Sequence, residues 1–140
     1  MNVLLSIRPE FIKMISSGEK KYEFRKTIFR RNDIRKVIVY ATAPVSRVVG
    51  EFEIESILFD EVHSLWEETK LHAGIDKKYF FEYFTEKEKG YAIKIKNYEE
   101  YSKSRKLDDV YHSVPPQSFA YIDETKTESK LGIQQISALL

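Results

Sequence analysis

The sequence predicts a small α+β domain, mainly β: a barrel or strongly bent sheet with helices on its rim. Strand-like runs outnumber helical ones, and the helical runs fall as punctuation between strands. No internal repeat, low-complexity tract or second domain boundary interrupts the chain, so residues 3–122 read as one domain followed by a tail, 123–140. At 140 residues, 42% hydrophobic and 14% aromatic, the chain is large enough to bury a core without staples.

The elements follow in order. Val3–Ile7 is a short apolar run, a buried strand. Pro9 and Glu10 suit the first turn of a short helix whose apolar side is Phe11, Ile12, Met14 and Ile15, with Gly18 as its C-terminal cap. Residues 21–26 alternate, Tyr22 and Phe24 against Glu23 and Arg25, as in a half-exposed strand. Val37–Ala43 reads as a central strand closed by Pro44, and Val48–Phe59 as a longer one bending at Gly50. His63–His72 reads as a helix with Leu65, Trp66, Thr69 and Leu71 near one side. Asp76 caps a second helix carrying Tyr79, Phe80, Tyr83 and Phe84, read as a packing face. Tyr91–Tyr98 is a strand, 99–113 a polar loop, and Ile136–Leu140 a terminal turn.

The chain has no cysteine, which removes disulfides, thiolate metal sites and cysteine nucleophiles and agrees with a reducing compartment. The apolar run at the N-terminus is too short for a secretory signal and no stretch approaches a membrane span, so a cytoplasmic protein is expected. His63 and His72 are nine residues apart, outside the spacing of a metal site on one helical turn, and neither a metal nor a cofactor is expected. Net charge is +1, but it is unevenly spread: Arg8 to Arg47 holds eleven Lys and Arg against four Asp and Glu. Such segregation produces a one-sided positive field suited to phosphates.

The stretch richest in chemistry is Gly18-Glu19-Lys20-Lys21-Tyr22-Glu23-Phe24-Arg25. Glu23 and Arg25 share a strand face, roughly 7 Å apart along it. Lys20 has the opposite parity and joins them only if the turn sets its direction. The plain alternative is a strand with Tyr22 and Phe24 in the core and its charges in water.

Gly18-x-Lys20-x-x-Glu23-x-Arg25 resembles the GxKxxExR signature of the ASCH family, within the PUA-like superfamily. Leu4–Pro9, Val48–Phe52, His72–Ile75 with Tyr83-Phe84, Tyr91–Ile95 and Pro115-Pro116-Gln117-Ser118-Phe119 are similar to further family segments, in order. The resemblance implies a PUA-like barrel with a cleft lined by the signature and proposed to bind RNA. On that reading Lys20 meets phosphate, Arg25 forks onto phosphate or a base edge, and Glu23 accepts from a base amino group or holds Arg25. Ser6 and Arg8 at the end of the first strand, Gly18 at the turn, and Gln117 and Ser118 behind two prolines complete the expected RNA-binding set. Tyr40 and Tyr121 are candidate stacking surfaces, with core packing as their alternative.

An enzyme is the other reading. Family branches include a hydrolase of N4-acetylated cytidine and ribonucleases, so a nucleoside or RNA would be the substrate of a metal-independent hydrolase using Lys20 and Glu23. Lys20 matches the amidohydrolase lysine; Glu23 stands where that branch has threonine. Burial or Arg25 would make Lys20 a base near neutral pH, whereas Glu23 opposes that shift and leans the site towards binding.

Overall fold

The structure, a computed structural model, describes residues 1–123. The tail after Asp123, with its expected terminal turn, lies outside the described residues. The elements run β1 (Asn2–Ile7), α1 (Pro9–Ser17), β2 (Tyr22–Arg25), β3 (Val37–Ala41), β4 (Arg47–Glu61), α2 (Val62–Thr69), α3 (Lys77–Tyr83), β5 (Lys89–Arg105) and β6 (Phe119–Ile122). The six strands hydrogen-bond in the order β2-β5-β4-β3-β1-β6. The mainly β class with helices therefore holds. Among the described residues the order has two ends and the sheet does not close on itself, so the pairing does not confirm the expected barrel.

The described residues form two compact units: Met1–Pro9, Arg31–Phe52 and residues 99–123 in the first, Glu10–Arg30 and Glu53–Tyr98 in the second. In the first unit, β1 and β3 run parallel, Val3 opposite Val37 through Ile7 opposite Ala41. All five residues of β3 are buried, as parallel strands covered on both faces require. β6 lies antiparallel on the other side of β1. The bend expected at Gly50 is a register shift: Val39 faces Gly50 while Tyr40 faces Val48. Leu4, Ile38, Tyr40, Val48, Val110 and Ile122 make the core. Buried Glu51 is answered by the Lys36 ammonium at 2.6 Å and the Tyr101 hydroxyl at 3.0 Å.

The second unit packs helices against β2 and the adjoining stretches of β4 and β5, with Phe24, Leu65, Phe80, Phe84 and Ala92 in its core. Ile12 and Ile15 are the buried residues of α1, and Gly18 ends that helix at φ +85°, where a side chain would be strained. Asp76 caps α3 as expected, its carboxylate accepting from the Tyr79 amide at 2.7 Å. Glu61 does the same for α2, accepting from the Ser64 amide at 3.2 Å.

Three expectations fail locally. β2 is not half-exposed: Glu23, Phe24 and Arg25 are all buried. The polar segment read as a loop instead prolongs β5 to Arg105, held in the first unit by Arg47, which donates to the Ser104 hydroxyl and carbonyl at 2.6 and 3.0 Å. Leu71 is 85% exposed rather than on the apolar side of α2, because Lys70–His72 winds as a 3-10 turn and rotates it outward.

The cap gives a direct check. Asp76→Ala should lower stability by about 1 kcal/mol in urea denaturation, and Asp76→Asn should restore most of it; equal loss in both would mean that the cap is not what the carboxylate contributes.

Candidate functional site

The helix-to-strand turn decides where Lys20 points. Its amide donates to the Met14 carbonyl at 3.1 Å, and the Lys21 amide donates to the His72 carbonyl at 2.9 Å. Residue 20 is thus tied to the end of α1 before β2 begins, and its side chain runs inward. Lys20 is 2% exposed. Its ammonium donates to the Ala73 carbonyl at 2.8 Å and lies 4.8 Å from the Phe24 ring centre and 5.2 Å from that of Phe11. The stem lies directly against Gly74, where an added Cβ would come within 2.5 Å of the Lys20 Cβ. Gly74 also has φ +69°, so two independent constraints reserve that position for glycine.

Glu23 and Arg25 meet as their shared parity predicts, with Arg25 Nη2 donating to Glu23 Oε2 at 2.9 Å. They are 6% and 8% exposed, so the pair is removed from water almost entirely. Lys20 keeps the other parity, towards Phe24, and couples to the pair through space. Burial lowers its pKa from the ordinary 10.5 to about 8, Glu23 opposing and Arg25 adding to the fall. Burial outweighs the carboxylate, yet at neutral pH most of the ammonium keeps its proton.

Tyr83 of α3 belongs to the same neighbourhood. Its hydroxyl donates to the Phe24 carbonyl at 3.2 Å. Burial raises the phenol's pKa, Arg25 lowering it and Glu23 raising it further. An open groove of about 730 Å3 lies at the end of α1, lined by residues including Gly18, Glu19, His72, Gly74 and Asp76. Its carboxylates Glu19 and Asp76 repel phosphate, and neither Glu23 nor Arg25 lines it.

The remaining expected residues lie in the first unit. The Ser6 hydroxyl donates to the Pro116 carbonyl at 2.7 Å, and its amide to the Ser118 carbonyl at 3.4 Å. These bonds fasten the 115–119 segment and leave Gln117 exposed and Ser118 half-buried. Arg8 is exposed. Tyr40 is 5% exposed within the core, so it packs and does not offer a stacking face. Tyr121 is 38% exposed, with the Arg31 guanidinium 5.8 Å from its ring centre and the Arg31 amide donating to its hydroxyl. Among the described residues no group of three His, Asp or Glu could hold a metal. Sequence reasoning missed Phe11, Ala73 and Gly74 as the seat of Lys20; Ala73 and Gly74 entered within the family-like segment His72–Ile75.

The ASCH domain family model matches residues 5–117. The ASCH domain-containing ribonuclease of Zymomonas mobilis is 28% identical over 134 residues, 93% of this chain and 90% of that protein. The crystal structure of ASCH from Zymomonas mobilis shares the fold with a TM-score of 0.85 and 28% identity, covering 94% of each chain. The large ribosomal subunit protein uL22 of Ureaplasma parvum is 29% identical over 121 residues, 86% of this chain but 39% of that protein, so the chain spans well under half of that relative.

The depressed pKa makes stability depend on pH with a definite sign. Between about pH 8 and 10.5 the unfolded chain binds the Lys20 proton and the folded one has released it, so stability rises with pH across that window. The gain should be on the order of 3 kcal/mol, and Lys20→Met should lack it. Urea midpoints of both proteins from pH 7 to 10.5 measure the difference; parallel profiles would refute the assignment. Gly74→Ala should cost roughly 2 kcal/mol or more by the same measurement.

Proposed function

We propose, from the premise that this chain belongs to the ASCH domain family, that it binds RNA through the buried charges of its second unit. The observation that carries this reading is a charge imbalance. Lys20, Glu23 and Arg25 are each less than 10% exposed, and two cations there face one carboxylate. Burying charge is costly, and an excess positive charge in a poorly screened place attracts an anion. The phosphodiester of RNA has that chemistry, and the ribonuclease named among the relatives supports it. In the first unit Arg8 and Gln117 are the proposed contacts, with Ser6 and Ser118 positioning the segment that carries Gln117. An RNA partner makes the cytoplasm the proposed place of action. Among the described residues no helix is long and apolar enough to cross a membrane.

A second reading, RNA cleavage, draws on the Lys20 pKa of about 8. A neutral Lys20 amine would take the proton of a ribose 2′-hydroxyl. The freed oxygen would attack the adjacent phosphorus, forming a 2′,3′-cyclic phosphate, while the departing 5′-oxygen takes a proton from solvent. Because Lys20 is 2% exposed, this chemistry requires the Ala73–Gly74 turn to open for substrate.

Three variants separate binding from cleavage. Lys20→Met removes the excess charge without leaving a carboxylate unpaired, and Arg25→Lys keeps charge but loses the fork. Each should weaken single-stranded RNA about tenfold, on the order of 1.4 kcal/mol, with a shallower salt dependence for Lys20→Met. Unchanged affinity in both would sink the binding reading. Lys20→Arg cannot deprotonate, so it should bind RNA but not cleave it. In the wild type kcat/KM should rise with pH and level off above about 8; cleavage by Lys20→Arg at the wild-type rate would end the second reading.

A further inference from the structure

Helix α3 and its C-cap carry five aromatic residues, Tyr79, Phe80, Phe81, Tyr83 and Phe84, and the structure divides them; Phe81 packs against His63 and Trp66. Phe80 and Phe84 are 0% and 2% exposed and fill the core of the second unit. Tyr79 and Tyr83, one turn apart, are half-buried and form a second face. The Tyr83 hydroxyl is anchored on the Phe24 carbonyl of β2, which fixes the ring beside the strand that carries Glu23 and Arg25. Phe11 meets Tyr79 edge-on, ring centres 5.7 Å apart at 86°, and the same Phe11 ring lies 5.2 Å from the Lys20 ammonium. The exposed Lys26 places its ammonium 4.9 Å from the centre of the Tyr83 ring. A packing role does not call for two phenols with a cation over one of them, next to buried charges.

We propose that Tyr79 and Tyr83 form a stacking platform for an unpaired nucleobase of RNA, with Lys26 serving the adjoining phosphate. This rests on the RNA-binding reading above and deepens it by assigning base recognition to α3. The magnitudes permit the exchange: base–aromatic stacking exceeds a solvent-exposed cation–π contact, so a base displaces Lys26 from the ring. The displaced ammonium remains on the residue that follows Arg25, where charge complementarity directs it to the phosphate backbone. The platform is indifferent to base identity, since every base has a π face.

The test compares a single-stranded oligouridylate with an abasic ribose-phosphate strand of the same length, titrated against the full chain over a salt series. Wild type should prefer the oligouridylate about tenfold or more. Tyr83→Leu should abolish that preference with an unchanged salt slope, whereas Tyr83→Phe, which keeps the ring, should retain it. Lys26→Gln should weaken both strands and lower the salt slope by about one counterion. If Tyr83→Leu unfolds, Tyr79→Leu with Tyr83→Phe supplies the comparison, and half or more of the preference should go with the Tyr79 ring. A wild type that binds both strands equally overturns the platform and leaves RNA binding standing. A wild type that binds neither strand overturns the RNA-binding reading itself, and the platform with it.

Discussion

An ammonium group out of water needs partners or it loses its proton, and the second unit is arranged around that condition at Lys20. One carbonyl, two aromatic rings and the bare backbone of Gly74 surround it. Those partners hold the group in place without fully replacing water, and the pKa near 8 is the residue of that shortfall. The ion pair beside it is a different solution to the same problem: Glu23 and Arg25 neutralise one another and are buried together. Removing either partner alone would leave an uncompensated charge, which is far more costly than never having buried the pair.

The second unit is also unusual in how its aromatic residues are used. Phe24 packs edge-on against both Phe80 and Phe84, at 5.1 and 6.3 Å, while accepting the Lys20 ammonium nearby. The same ring therefore belongs to the hydrophobic core and to the charged cluster. Core packing and the charged cluster share it, so the cluster cannot be reshaped without disturbing the packing of α3.

Much of this was legible in the sequence, for identifiable reasons. The Asp76 cap, the Gly18 stop and the parity of Glu23 and Arg25 depend on a few consecutive residues, and local rules reach that far. The seat of Lys20 was not legible, because Ala73 and Gly74 come from a segment fifty-three positions away in the case of Ala73. The burial of Glu23 and Arg25 was hidden as well: alternation along β2 gave correct sides but not the covering of the second side. The prolongation of β5 escaped because its residues are polar; Tyr101 and Arg47 hold that stretch through side-chain bonds that leave no periodic signal. Tyr79 and Tyr83 were merged with Phe80 and Phe84 because helical spacing groups all four, and only burial separates them.

The long reach from Lys20 to Ala73 has a consequence for synthesis. A growing chain that has not yet emerged past Gly74 carries Lys20 as an ordinary, hydrated, fully protonated amine. Its altered acidity comes into being only when the later segment closes over it. Whatever chemistry the amine serves is thereby withheld from the unfinished polypeptide, with no separate inhibitor required.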